Sequence, residues 1–361
     1  KKRCLGRQNS LFSRLPSDKK GQITVFMILG ILFLLILVLI IAYQQEIIVL
    51  KPGELVMTEK GKITQLIVTC MDQLGDEALT KIGFQGGYVE VPDYISKSVN
   101  RRVSLSPFTF VPYWAFGDQT EYPTLEEIKE DIDDYIEGNL RSCVFQLEPF
   151  KENYDVVERS QIYSDTNIAD DKVLFNVNWN LEVSTKDGSV IAEIINYISE
   201  SPVKLKKVYE MATIILDKEM EELKLEDITQ DLLALEHPKI PLTGFEMSCS
   251  RKKWKIDEVK ENLQEMIRIN IRELKVEGTN FVEFPEELPY YKNHYIWDLG
   301  ENVEDQNIFV HFDYQKNFPF FFAVGPKNGN YLKSNQVDGG KLYSLFCMQN
   351  WKFIYDLSYP V

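Results

Sequence analysis

The longest hydrophobic pattern lies near the start of the chain. Ile23–Tyr43 is an apolar run of 21 residues, sixteen of them Ile, Leu, Val or Phe, with Thr24 and Gly30 as its only interruptions. Coiled as an α-helix it reaches roughly 30 Å, the thickness of a bilayer's hydrocarbon core, and at the usual per-residue transfer energies its insertion is favoured by about 5–10 kcal/mol. It is longer than the apolar region of about 7–15 residues in a secretory signal, and no small-residue cleavage site follows it. The pattern predicts a transmembrane helix over residues 22–44.

Beyond the hinge at Lys51-Pro52-Gly53, the periodicity changes to that of a half-buried helix. Ile63, Ile67, Cys70, Met71, Leu74, Ala78 and Ile82 recur every three or four residues and predict a helix over Leu55–Ile82. Gly86-Gly87 leads into an expected short strand, Tyr88–Val91, stopped by Pro92, and Phe108–Phe116 reads as an aromatic strand. Thr124 followed by Glu127 has capping-box spacing and opens an acidic helix to about Val144, with Leu125, Ile128, Ile132, Tyr135, Ile136, Leu140 and Cys143 on one face. Val173, Phe175, Val177, Trp179, Leu181 and Val183 alternate with Asn176, Asn178, Asn180 and Glu182, a strand that Asp187-Gly188 turns back into Val190–Ile198. Ser201-Pro202 is expected to cap a long helix running to about Leu225.

His237-Pro238 and Pro241 mark a linker, after which mixed patterning resumes. A strand is expected near Phe245–Cys249, a helix near Asp257–Leu274, and strands over Tyr290–Trp297, Asn307–Tyr314 and Phe318–Val324. A turn at Lys327–Asn330 and a strand-rich Leu342–Tyr359 follow. Tyr88–Asp93 and Phe281–Glu286 resemble one another, as either a duplicated α+β unit or a chance likeness of two edge strands. The expected organisation is a basic segment 1–21, a membrane helix 22–44, an α+β region 45–240 and a more β-rich α+β region 241–361. There is no initiating Met, and Tyr359-Pro360-Val361 ends inside an apparent strand, so the C-terminus reads as truncated.

Charge sets the orientation. Seven basic residues against Asp18 give +6 before the apolar run; subtracting +6 from the whole-chain −15 leaves −21 for the rest. Lys/Arg-rich flanks stay in the cytoplasm, which places the N-terminus inside and residues 45–361 outside. A portion this acidic argues against a nucleic-acid partner. The roughly 315 residues beyond the membrane are enough for substantial cores. Hydrophobic residues at 44% and aromatics at 12% of the whole chain exclude a disordered stalk.

Lys19-Lys20-Gly21-Gln22-Ile23-Thr24-Val25-Phe26 resembles the archaeal class III, or prepilin-type, signal sequence. The resemblance implies cleavage between Gly21 and Gln22, with the apolar segment retained as an anchor or filament core. Pilins carry Glu at the fifth position after that bond, where this chain has Phe26, which argues against assembly into a pilus. The stretch Cys70–Pro92 is similar to uncharacterised single-pass surface proteins of small-genome archaea, which implies no activity.

Cys4 falls on the cytoplasmic side, whereas Cys70, Cys143, Cys249 and Cys347 lie outside, where disulfides persist. Four cysteines allow three connectivities. Locality favours Cys70–Cys143 and Cys249–Cys347, each closing a loop worth about 4–5 kcal/mol in the chain-entropy model. No two cysteines have zinc-ligand spacing, and neither metal nor cofactor is expected.

Candidate chemistry is sparse. His237, His294 and His311 are dispersed, and no sequence motif of a metalloprotease, serine hydrolase, P-loop or dithiol oxidoreductase is present. His311-Phe312-Asp313 places an imidazole and a carboxylate on one strand face, where a solvent-facing pair is the plainer account. Ser201…Lys204 matches S-x-x-K without its partner motifs. Glu126, Glu127, Glu130, Asp131, Asp133, Asp134 and Glu137 read as a solvated helix face. The aromatic clusters Tyr290, Tyr291, Tyr295 and Trp297, and Phe320 and Phe321, suit either a β-rich core or a surface for peptides, glycans or a neighbouring subunit. The sequence therefore describes a bitopic membrane protein with a disulfide-braced α+β exterior in two halves. Its expected role is adhesion, envelope organisation or partner binding, with the bilayer, other surface proteins or itself as partners. A pilin-like subunit and a membrane-tethered hydrolase, with a site not visible in the sequence, are the alternatives.

Overall fold

Helix α1 (Pro52–Phe84) opens the part of the chain that the computed structural model describes, residues 52–300, 308–337 and 347–361, with side chains from residue 60 onward. The expected membrane helix 22–44 and the Gly21–Gln22 bond lie outside the described residues; among those residues no helix is long and apolar enough to cross a membrane. Packing separates residues 1–59 from Lys60–Val361, and the second unit is a mixed α+β structure.

The stripe predicted on α1 is the face it buries: Ile63, Ile67, Met71 and Ala78 are fully enclosed, and Cys70, Leu74 and Ile82 nearly so. Gly75 sits where α1 meets the sheet, so close that a Cβ there would stand 2.4 Å from the Phe175 ring. After α1 the chain makes a short helix α2 (Asp93–Ser96) and two small hairpins, β1 (Arg102–Ser104) with β2 (Phe110–Pro112) and β3 (Ala115–Phe116) with β4 (Gln119–Thr120). The strand expected over Phe108–Phe116 is thus broken at Tyr113-Trp114. Among the described residues Tyr88–Val91 pairs with no strand, and the Val89 amide donates to Asp131 Oδ2 instead of to a ladder.

Helix α3 (Leu125–Cys143) begins with the predicted capping box: Thr124 Oγ1 accepts from the Glu127 amide and Glu127 Oε2 accepts from the Thr124 amide. A short helix α4 (Glu148–Lys151) leads to β5 (Tyr154–Glu158) and β6 (Tyr163–Ile168). These two lie end to end along one edge of β7 (Val173–Thr185), whose other edge pairs antiparallel with β8 (Val190–Ser201). All six predicted inward positions of β7 are buried, and with α1 and α3 they make the first core. The acidic face of α3 departs from the solvated surface expected for it. Asp133 Oδ1 accepts from the Thr166 amide at 2.8 Å and from the Ser164 and Thr166 hydroxyls, while Glu137 Oε1 accepts from the Ser164 amide at 2.7 Å. These carboxylates satisfy amides on the edge of β6 that faces away from β7, and so close it to further strand pairing. Cys70–Cys143 ties α1 to the end of α3.

A second core gathers around helices α5 (Leu205–Glu222), α6 (Lys224–Ala234) and α7 (Ile256–Ile271). The long helix expected to about Leu225 is α5, which ends at Glu222, but Ser201 does not cap it. Ser201 ends β8 and donates to Asp76 Oδ1, and Leu223, at φ +55°, breaks the helix between α5 and α6. Glu219 accepts the Leu225 amide with both carboxylate oxygens and so caps α6. Strands here are short: β9 (Thr243–Met247), β10 (Lys253–Lys255), β11 (Lys275–Val276), β12 (Ile296–Trp297), β13 (Phe321–Gly325), β14 (Tyr331–Lys333), β15 (Asn335–Gln336), β16 (Met348–Lys352) and β17 (Ile354–Ser358). They pair antiparallel except for the two-residue β11–β12 ladder. Most of Tyr290–Trp297, expected as a strand, is helix α8 (Pro289–Tyr295): Pro289 suits a first helical turn, and Tyr290–His294 and Tyr291–Tyr295 stack at i,i+4. Among the described residues 308–314 run without ladder pairing, as do 88–91 and 281–286, so neither of the two resembling segments, 88–93 and 281–286, is an edge strand there. Cys249–Cys347 joins the segments that follow β9 and precede β16.

Candidate functional site

An open groove of about 740 Å³ lies between the end of α1 and the β1–β2 hairpin. Thr80, Lys81 and Phe84 form one wall, Leu105, Phe108 and Phe110 the other, with Val89 and Glu90 between them. The floor is held from several sides. Gly86 and Gly87, at φ +60° and +101°, take the chain out of α1 through a left-handed turn that side chains resist. Gln85 Nε2 donates to the Val89 carbonyl at 2.7 Å, and Trp114 Nε1 donates to that of Gly86 at 2.8 Å. Burial pushes the carboxyl of Asp131, on α3, above its ordinary range, opposed by the Val89 amide whose hydrogen bond it accepts.

The hairpin wall is built to project rings. Ser106 Oγ accepts from the Phe108 and Thr109 amides, a local turn that leaves the Phe108 ring 88% exposed. Phe84 is 60% exposed on the facing wall. The Arg102 guanidinium lies 3.7 Å from the Phe110 ring centroid while its Nε donates to the Ser96 carbonyl. Lys81 is engaged with Glu77 and sits 4.1 Å over the Tyr135 ring, whose hydroxyl is pushed up to about 12 by burial and then by Glu77. The groove therefore offers apolar area with one amine and one carboxylate, Glu90, at its margins. That composition suits holding apolar side chains.

The aromatic residues singled out in the sequence are divided by the structure. Tyr290 and Tyr291 are partly exposed on α8, in contact with Phe284 and His294. Tyr295 and Trp297 are core residues, with Tyr295 donating to Asn270 Oδ1 and Trp297 Nε1 to Glu222 Oε2. Phe320 packs against Tyr314, Phe322 and Tyr359, whereas Phe321 is exposed on β13. Among the described residues the ring contacts of α8 and those of Phe320 form separate groups. Asp313 is held by Arg272 Nε at 2.7 Å and by Gln315, and Ser201 is bound to Asp76. Among the described residues no three His, Cys, Asp or Glu side chains converge as metal ligands. The groove is not legible in the sequence, where Phe108 falls in an expected strand. The signal available was Leu105-Ser-Pro-Phe108, large apolar residues set in turn-forming ones.

Compared with known proteins, the chain matches no protein-family model, no curated protein and no solved structure.

Proposed function

We propose that this chain is a bitopic surface protein, held in the bilayer by residues 22–44 with its C-terminal portion outside the cell, and that its role is to bind another surface protein rather than to catalyse a reaction. The observation that carries the exterior placement is the pair of disulfides, Cys70–Cys143 and Cys249–Cys347, one beside each core. Such bonds persist in oxidising compartments and are rare in reducing ones. The net charge of −21 beyond Gly21 suits a solvated exterior and disfavours phosphate-rich partners. The groove supplies the contact surface, and its chemistry fits a partner segment bearing aliphatic or aromatic side chains.

A photoreactive phenylalanine analogue at position 108 tests this in intact cells. A discrete adduct with one surface protein, absent when the analogue is placed at exposed Asp155, supports the reading; equal labelling from both positions refutes it. Cleavage between Gly21 and Gln22 belongs to the same proposal, and N-terminal sequencing of native protein checks it.

A further inference from the structure

A second surface, sharing no residue with the groove, lies on the open face of the β7 sheet. The register builds it in rows: Tyr163 of β6 pairs with Asn178 of β7, which pairs with Asn196 of β8. Two residues along, Asp165 pairs with Asn176 and Asn176 with Ile198. Residues at alternate positions share a face, so these six point away from the helices, while their neighbours Ser164, Phe175, Val177 and Tyr197 are buried. Strands about 4.8 Å apart bring the three side chains of a row within about 10 Å of one another.

Folding alone gives no reason for this composition. Asparagine is among the poorest strand formers because its amide competes for backbone hydrogen bonds, yet β7 carries it at 176, 178 and 180, and β8 at 196. Violations of a local rule without a packing return concentrate where function requires them. The amides are only partly used. Asn178 Nδ2 donates to Asn196 Oδ1 at 3.0 Å, and Asn176 Nδ2 donates to the Asp165 carbonyl at 3.1 Å. Beside them, Asn180 gives Nδ2 to Glu193 and leaves its buried Oδ1 without a partner among the described residues. Tyr163 presents its ring at the end of the first row, 63% exposed. Lys129 neutralises Asp165 at 3.0 Å, so the patch is close to uncharged within a strongly acidic exterior.

We propose that this face binds a neutral oligosaccharide. Vicinal hydroxyls each donate and accept, and planar amides offer both functions side by side. The carbon-bound hydrogens of a pyranose ring stack on an exposed phenol. The surrounding negative charge excludes anionic polymers, and the amine beside the patch, Lys129, is already neutralised by Asp165.

The test uses the full chain in phospholipid nanodiscs, free of sugar-headed detergent, against immobilised cellohexaose, chitohexaose, oligomannose and polygalacturonate. Binding to at least one neutral probe at millimolar concentration or below is expected, nearly unchanged between low and high salt. Tyr163→Ala and the double change Asn178→Ala/Asn196→Ala are each expected to weaken it by about tenfold or more, the scale of an anchoring contact. Phe108→Ser, in the groove, leaves it unchanged. All substituted positions are exposed, and unaltered thermal melting shows that the variants fold. Absence of binding to every neutral probe overturns the proposal, as does binding to polygalacturonate alone or neutral binding that survives both sheet variants. Loss of the Phe108 adduct in cells with intact glycan binding would refute the groove reading alone.

Discussion

Gly75 gives the sharpest test of how α1 meets the sheet. Elsewhere on this helix a glycine is a liability: Gly61 and Gly83 have open space where a Cβ would go, so Gly61→Ala and Gly83→Ala are each expected to stabilise by about 1 kcal/mol through helix propensity. Gly75→Ala carries the same gain but drives a methyl to 2.4 Å from Cε2 and 2.5 Å from Cζ of Phe175. The ring has nowhere to go, since Phe175 is fully buried between α1 and its strand. Overpacking of this kind costs about 1–3 kcal/mol, and at this depth of overlap the upper end applies. The net expectation is a loss of about 1–2 kcal/mol, or a gap of about 2–3 kcal/mol between Gly75→Ala and Gly83→Ala. Urea unfolding followed by far-UV circular dichroism on the nanodisc-embedded chain measures it. Adding Phe175→Leu to Gly75→Ala makes room for the methyl, and the double-mutant cycle is expected to show positive coupling. Gly75→Ala as stable as Gly83→Ala would show that α1 does not lie on Phe175.

Replacing Cys70 and Cys143 together by Ala opens a loop of sequence separation 73, and replacing Cys249 and Cys347 one of 98; each pair is expected to lower stability by about 4–5 kcal/mol in the same unfolding assay. Thr124→Ala removes half of the capping box and is expected to cost about 1 kcal/mol, visible as a lower urea midpoint. Glu219 titrates high: burial first, then its hydrogen bond to Glu226, pushes the carboxyl up to about 8. An acid whose folded pKa is raised is protonated in both states below about 4.5, and from there to about 8 only the unfolded state ionises. Its contribution therefore weakens the fold as pH rises through that window. Glu219→Gln is expected to flatten the fall in unfolding midpoint between those pH values while changing little at pH 4; an unchanged slope would refute the assignment.

Long periodic elements were legible in the sequence, because their cores are built on single-strand or single-helix repeats. The α1 stripe, the capping box at Thr124, the inward positions of β7 and the Asp187-Gly188 turn all sit where the pattern places them. Cysteine locality likewise pointed to both bonds. What escaped was decided by tertiary contacts. β5 and β6 are short, polar on one side and paired only because β7 is longer than either. Asp133 and Glu137 read as surface acids because nothing in their own helix reveals that Ser164 and Thr166 come to meet them. Aromatic richness misled at Tyr290–Trp297, where Pro289 and i,i+4 ring stacking outweighed β-propensity. The groove eluded the reading for the same reason: Phe108 owes its exposure to the turn at Ser106.

We propose above that residues beyond the apolar run fold outside the cell with Cys70, Cys143, Cys249 and Cys347 oxidised. Trypsin shaving of intact cells, followed by mass spectrometry without reduction, tests it directly. The account expects released peptides from residues 60–361, including the linked pairs Cys70–Cys143 and Cys249–Cys347. Peptides that emerge only after lysis, with all four cysteines open to alkylation, would contradict it.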